Sequence, residues 1–348
     1  MRPWSEARVS TVNRILITGG AGFIGSYVVD ACVEKFRDAE IVILDKMNYA
    51  ANVQFILRHL TEKRVELFVG DVADYPAMLR ATRGMDLVLH LAAESHVGRS
   101  FGNSMEFTRT NALGTHVLLE AAQQNQVTRF VHVSTDEVYG EVLNEEATEE
   151  YPLHPNNPYS GSKAAAEMII QSYRRSFRAP VIISRANNIF GSRQFPEKII
   201  PKFICRALAG ETLPIHGDGS HRRHYLAAQD FAEALLMIAE RGEPGLAYNI
   251  GGADEFSNLE VANMVCNEIG LDPEAQIVFE ADRPFNDQRY AVDWSRIRAM
   301  GWAPKRHLAD ALPHMVVWYR ENHHLFERYL DDEGIMEFSS TLSEKPVC

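Results

Sequence analysis

The segment Thr18-Gly19-Gly20-Ala21-Gly22-Phe23-Ile24-Gly25 constrains the fold more than any other part of the chain. It follows a short apolar run over residues 14–18 and precedes residues 26–36, which read as a helix; a second apolar run occupies 41–44. A strand that enters a glycine-rich turn and leaves as a helix can bring backbone N–H groups and a helix N-terminus against a pyrophosphate. In the spacing G-x-x-G-x-x-G, Gly19 and Gly22 allow the tight turn and close approach, and Gly25 lets helix and strand pack closely.

The alternation continues with apolar runs over 65–69, 87–91, 130–133 and 181–184, separated by stretches long enough for crossover helices. The fold expected is α/β, a Rossmann-type doubly wound parallel sheet with a smaller mixed α/β substrate domain. After Gly191, prolines and glycines (Pro196, Pro201, Pro214, Gly210, Gly217, Gly219) break the regular order. Residues 14–192 are therefore assigned to the cofactor-binding domain, with 224–250 returning to it. Residues 193–223 and 251–330 form the substrate-binding domain, and 1–13 and 331–348 are terminal extensions. The apolar helices expected over 107–123 and 159–177 are candidates for a homodimer contact.

The 348 residues, 46% hydrophobic and 24% charged, suit a globular protein with a sizeable core. A net charge of -12 repels polyanions on average and argues against nucleic acid or an anionic membrane as the main partner. Cys32, Cys205, Cys266 and Cys348 form no C-x-x-C pair, which points to neither a disulfide framework nor a zinc site, and a reducing cytoplasm is the simplest home. No apolar stretch has the length of a bilayer span, and the first thirteen residues lack the apolar core of a secretion signal. No His, Asp and Glu cluster has metal-ligand spacing, so no metal is expected.

Asp45 lies about twenty positions beyond Gly25, at the end of the second strand, where a carboxylate accepts hydrogen bonds from ribose hydroxyls and repels a ribose phosphate. That favours NAD over NADP, with Lys46 beside it as the opposing charge. Asp71, followed by Val72, falls after another strand near the adenine position. Tyr159-Ser160-Gly161-Ser162-Lys163 sets a phenol and an ammonium four residues apart on one helical face, an arrangement in which the ammonium and the oxidised nicotinamide can lower the phenol pKa. Thr135, Asp136 and Glu137 follow the run 130–133, at the same carboxyl edge of the sheet.

Together the T-G-x-x-G-x-x-G turn and Tyr-x-x-x-Lys resemble the extended short-chain dehydrogenase/reductase family, and Thr135-Asp136-Glu137 resembles its dTDP-glucose 4,6-dehydratases. The similarity runs from about residue 15 to 319. It includes Leu44-Asp45-Lys46-Met47-Asn48-Tyr49-Ala50, Leu91-Ala92-Ala93-Glu94-Ser95-His96-Val97, Phe195-Pro196-Glu197-Lys198-Ile199-Ile200-Pro201 and Asp282-Arg283-Pro284. The resemblance implies NAD contacts from Gly19, Gly22, Phe23, Ile24, Gly25, Asp45, Lys46, Asp71, Val72, Tyr159 and Lys163. It implies a nucleotide-diphosphate hexose as substrate, oxidised at carbon 4, dehydrated across carbons 5 and 6 and reduced at carbon 6. Tyr159 would take the 4-hydroxyl proton and Thr135 hydrogen-bond that oxygen. Glu137 would remove the carbon 5 proton, and a protonated Asp136 would release the 6-hydroxyl as water. Ser95, His96, Asn188, Glu197, Lys198, His216, Arg223 and Arg289 match substrate-contacting positions.

The chain departs from that pattern at Gly98, His216, His224-Tyr225 and Phe285-Asn286, which leaves thymine and uracil nucleotides both open. A nucleotide-sugar 4-epimerase or decarboxylase would share Tyr159 and the cofactor site but needs no acid for loss of the 6-hydroxyl, so Asp136 weighs against it. A non-catalytic NAD-binding regulatory protein would not need all of Thr135, Asp136, Glu137, Tyr159 and Lys163.

Overall fold

The computed structural model describes Trp4 and residues 12–252, 254–282 and 287–327. Arg283, Pro284, Phe285, Asn286, Cys348 and the extension 331–348 lie outside the described residues, as does most of 1–13. Twelve strands form among the described residues: β1 (Arg14–Thr18), β2 (Glu40–Asp45), β3 (Val65–Val69), β4 (Leu87–His90), β5 (Arg129–Thr135), β6 (Val181–Ala186), β7 (Asn188–Phe190), β8 (Leu213–His216), β9 (Arg222–Ala227), β10 (Ala247–Ile250), β11 (Asp254–Ser257) and β12 (Ile277–Glu280). Seven of them build one sheet in the order β10-β6-β5-β4-β1-β2-β3, every pairing parallel. The doubly wound α/β expectation therefore holds.

Alternation along the strands decides what each face buries, because successive side chains point to opposite sides. Ile15, Ile17, Ile41, Ile43, Leu87 and Leu89 meet Val28 and Val29 of the helix Phe23–Lys35 and Phe231, Leu235 and Ile238 of the helix Ala228–Arg241. Leu16, Leu44, Val88, Phe130 and Val181 face the other way, against Met78, Leu118, Leu119 and Ile170. Trp4 joins that second layer, buried, with its ring N–H donating to the Val127 carbonyl. With both faces covered, a parallel sheet leaves only its strand ends open for a ligand.

The helix expected over 26–36 starts three residues earlier. Gly22 is its extended N-cap, so the glycine turn runs straight into the helix and points the first free amides at the sheet edge. The helical region expected over 107–123 is interrupted: Ser104–Phe107 is followed by a wider, π-type stretch, Thr108–Leu113, before Gly114–Gln124.

A second core lies beside this layer. Phe190, Phe195, Phe203, Ile204, Leu213, Ile215, Val261, Val265, Leu312 and Tyr319 pack around a three-stranded sheet, β11-β9-β7, and the pair β12-β8. β7 begins two residues after β6 ends and pairs with β9, so the chain passes from one sheet to the other within the edge of the cleft.

Candidate active site

The segments at the carboxyl ends of β1 to β6 line a single cleft: the glycine turn after β1, Asp45 to Ala51 after β2, Gly70 to Val72 after β3, Leu91 to Ser95 after β4, Ser134 to Glu137 at the end of β5, and Ala186 to Ile189 after β6. Strand order reverses between β1 and β4, which opens a crevice there. Tyr159 and Lys163 enter from the helix Pro158–Phe177, and Glu197 and Lys198 close the far side.

At the cofactor end the backbone requires its glycines. Gly19 has φ +73°, and a Cβ there would lie 2.8 Å from the Ala92 backbone. A Cβ on residue 25 would lie 2.0 Å from the Gly19 carbonyl oxygen, so the helix can sit this close to the turn only with glycine. Gly22 differs: a Cβ there would meet only the Gly19 oxygen, at 3.4 Å, and its bare face belongs to the cleft wall. The cradle fits a dinucleotide pyrophosphate lying against the helix N-terminus.

Asp45 is buried, accepting from the Ala21 amide at 3.0 Å and the Met47 amide at 2.9 Å, one on each oxygen. Each oxygen keeps a lone pair for a ribose hydroxyl. Burial raises its pKa, with the Met47, Ala21 and Lys46 amides opposing. Lys46 is engaged by Glu106 at 2.6 Å and lies 3.7 Å from Asp71, and Arg109 is held by Asp71 at 2.8 Å. Both cations near the ribose position are thus already paired with carboxylates, which weakens them as partners for a ribose 2′-phosphate. Asp71 is not a helix cap: it accepts from the Ala73 amide and Arg109, while Asp74 caps the following helix. Burial pushes Asp71 up, but those bonds and Lys46 hold it below the ordinary carboxylate range.

The catalytic end centres on Thr135, the last residue of β5 and the N-cap of a short turn, Asp136–Tyr139. Its hydroxyl accepts from the Glu137 amide at 3.3 Å and donates to Asp136 Oδ1 at 3.2 Å. Asp136 Oδ2 accepts from Asn187 Nδ2 at 2.8 Å. Burial, reinforced by the Glu137 charge, pushes Asp136 up to about 7 against the hydrogen bonds from Asn187 and Thr135. Glu137 is half-buried and also raised by burial, with Asn157, Lys198 and Arg223 pulling it back down. One carboxyl is therefore poised to hold a proton near neutral pH beside a second whose anion has more support.

Tyr159 is buried in the first turn of its helix. Burial, then the charges of Glu137 and Asp136, raise its phenol, while a hydrogen bond with Thr135 opposes them. The Lys163 ammonium donates to the Val133 carbonyl at 2.6 Å, and burial lowers it to about 8. The ammonium is thus anchored on the carbonyl near the end of β5, four residues along the helix from the phenol.

The GDP-mannose 4,6-dehydratase family model matches residues 16–315, nearly the whole described fold. The chain belongs to that family. Among the relatives of this family member, the human dTDP-D-glucose 4,6-dehydratase is 40% identical, over 89% of this chain and 91% of its own length. A trifunctional UDP-glucose 4,6-dehydratase, 3,5-epimerase and reductase of Arabidopsis thaliana is 43% identical over 97% of this chain. The chain spans only about half, 54%, of that longer relative. Among solved structures, the dTDP-glucose 4,6-dehydratase DesIV of Streptomyces venezuelae, with NAD bound, has a TM-score of 0.88 and 39% identity, covering 91% of this chain and 99% of its own. A UDP-glucose 4-epimerase of Thermotoga maritima follows at 0.82 and 28%, over 89% and 99%.

Of the residues expected to contact substrate in this dehydratase-family chain, Ser95, Asn188, Glu197 and Lys198 line the cleft, and Lys198 Nζ donates to the Ser95 carbonyl at 2.7 Å. His96 stands behind them, Nδ1 3.7 Å from Glu197 Oε2. Arg223 lies over the Tyr290 ring at 4.6 Å, and its charge reaches both Asp136 and Glu137. His216 and Arg289 are not brought to the cleft lining. His216 ends β8 with Glu280 3.9 Å away, and Arg289, bridged to Arg222 of β9, is held by Glu255 at 2.6 Å. Of the unusual positions, His224 bonds the Tyr290 carbonyl at 2.9 Å.

Three partners escaped the sequence reading. Asn187 and Asn157 hold the two carboxylates, at 2.8 and 3.1 Å. Behind the turn, buried Arg185 grips Glu167 with two nitrogens and donates to Tyr139 at 2.6 Å. Asn157 did carry a signal, since an Asn before Pro158 marks a helix N-cap; the others are contacts between distant segments. Among the described residues no group of three His, Cys, Asp or Glu could hold a metal ion, and no helix is long and apolar enough to cross a membrane.

Proposed function

We propose that the protein is a nucleotide-sugar 4,6-dehydratase acting on dTDP-glucose or UDP-glucose and releasing the 4-keto-6-deoxy sugar and water. The carrying observation is the pair Asp136 and Glu137 at the end of β5 beside Tyr159, with Asp136 pushed up to about 7. NAD, held by the glycine turn and Asp45, supplies a hydride acceptor for carbon 4, a hydride donor for carbon 6 and a positively charged ring. Tyr159 takes the proton of the 4-hydroxyl while Thr135 hydrogen-bonds that oxygen. The resulting ketone acidifies the proton on carbon 5, which Glu137 removes; Asp136 gives its proton to the departing 6-hydroxyl. Lys163 holds the helix against β5 through the Val133 carbonyl. Ser95, Asn188, Glu197, Lys198 and Arg223 contact the sugar and diphosphate, with His96 behind Glu197.

A 4-epimerase needs no acid for the 6-hydroxyl, and a buried acid at residue 136 favours dehydration over it. In domain terms, 14–192 with 224–250 hold NAD, and 193–223 with 251–330 hold the sugar nucleotide. Exposed Met105, Leu113 and Met168 on adjoining helices support a homodimer through that face. The buried free thiols of Cys32, Cys205 and Cys266 suit the cytoplasm.

The test is incubation with dTDP-glucose and with UDP-glucose, reading product mass. Loss of one water from at least one substrate is expected, and Glu137→Gln should reduce bound NAD yet stall before that loss. No loss from either substrate refutes the reading.

A further inference from the structure

Each of the two neighbouring carboxylates is met by a side-chain amide whose direction is set by a backbone N–H. Asn187 Oδ1 accepts from the Gly252 amide at 3.1 Å, which turns its NH2 toward Asp136. Asn157 Oδ1 accepts from the Ser160 amide at 2.8 Å, which turns its NH2 toward Glu137 Oε2 at 3.1 Å. The second case has an extra consequence. Asn157 is the N-cap of the helix Pro158–Phe177, in a reciprocal capping box with Ser160, so a flip of its amide would break the cap. Its polarity is locked by the start of the helix that carries Tyr159 and Lys163.

Resting on the dehydratase reading, we propose that Asn157 is a positioning residue that keeps Glu137 ionised and aimed as the base. It lies outside the cleft lining and acts only through Glu137. One side chain thus joins two requirements: the helix that presents the phenol starts at the same residue that steadies the base. The other groups acting on Glu137 are Asp136 and Tyr159 beside it, Lys198 across the cleft, Arg223 on β9, and Asp287 with Tyr290 on the following segment. Asn157 donates directly to Glu137, at 3.1 Å, and Asp287 is itself occupied by Asn156 at 2.8 Å.

Two substitutions separate the cap from the contact with Glu137. Asn157→Ser keeps a good N-cap but is too short to reach Glu137; Asn157→Asp keeps the cap and sets a carboxylate against Glu137. A base must be ionised, so activity rises with pH through its pKa, and loss of an anion-stabilising donor moves that limb upward. The limb should move up for Asn157→Ser and further, by about one pH unit or more, for Asn157→Asp, with thermal midpoints close to that of the wild type. Infrared difference spectra against Glu137→Gln in the same backgrounds should show the Glu137 carboxylate titrating in the same order, independently of turnover. Coincident titrations in all three proteins overturn the proposal even if dehydration is normal. A wild type that dehydrates neither sugar overturns the dehydratase reading, and the assigned role of base with it.

Discussion

Replacing Asp136 by asparagine should stabilise the protein and disable it, with a stability gain that depends on pH. The carboxyl is buried and its pKa rises from 3.8 to about 7. Above pH 7 folding must bury the anion that the unfolded chain solvates freely. That rise, at about 1.4 kcal/mol per tenfold, corresponds to about 4 kcal/mol of stability withheld from the wild type. The sign follows from the raised value: the penalty is absent below the unfolded pKa, grows between 3.8 and about 7, and is complete above. At pH 5.5 about 2 kcal/mol of it is present, at pH 8.5 about 4. The substituted amide is nearly isosteric with the carboxyl, and its carbonyl can still accept from Asn187. Urea unfolding of both proteins at the two pH values should show a larger gain at pH 8.5, by about 2 kcal/mol. Dehydration should slow by about 10²–10⁴-fold, the usual contribution of a general acid. An equal gain at both pH values, or a loss at both, refutes a buried neutral carboxyl at this position.

Two further outcomes are expected. Gly25→Ala forces a Cβ to within 2.0 Å of the Gly19 oxygen, so the turn must move and NAD affinity should fall by about tenfold or more; calorimetric titration giving an unchanged affinity would count against the cradle. Met105→Glu combined with Leu113→Glu puts two charges on the exposed helical face and should shift sedimentation from dimer to monomer, by about tenfold or more in dissociation constant; a wild type that sediments as a monomer at every concentration rejects the dimer.

What could be read from the chain is what short-range spacing encodes. The turn after β1 announces itself because Gly19, Gly22 and Gly25 sit between an apolar run and a helix. Asp45, Thr135, Asp136 and Glu137 were legible because each ends or follows a strand, and in a parallel sheet those ends share one edge. Residue pairs far apart in sequence were not. The amide of Asn187 is oriented by Gly252, and Arg185 of β6 meets Glu167 of the preceding helix in a fully buried ion pair. Nothing local distinguishes Arg185 from a surface arginine, although removing one partner of such a pair typically costs about 3–5 kcal/mol. Arg289 was singled out from its local motif alone; its bridge to Arg222 of β9 and its contact with Glu255 are long-range and were not legible there. The π-type stretch at Thr108–Leu113 was equally hidden, since its apolar pattern reads as continuous helix. It places Asn111 to bond both the Glu94 backbone, at 2.9 Å, and Ser162, at 2.8 Å.

The acid and base assigned here are consecutive residues on one short turn, while the phenol, the lysine and the glycine cradle belong to other segments. On the proposed reading, the groups that would oxidise the sugar and those that would remove water from it sit on separate segments, joined through Asn157, which starts the phenol's helix and donates to Glu137. A 4,6-dehydratase and a 4-epimerase each resemble this chain's backbone closely, at TM-scores of 0.88 and 0.82. On the same reading, the turn Asp136–Tyr139 is where two proteins of one backbone would part in the product they release.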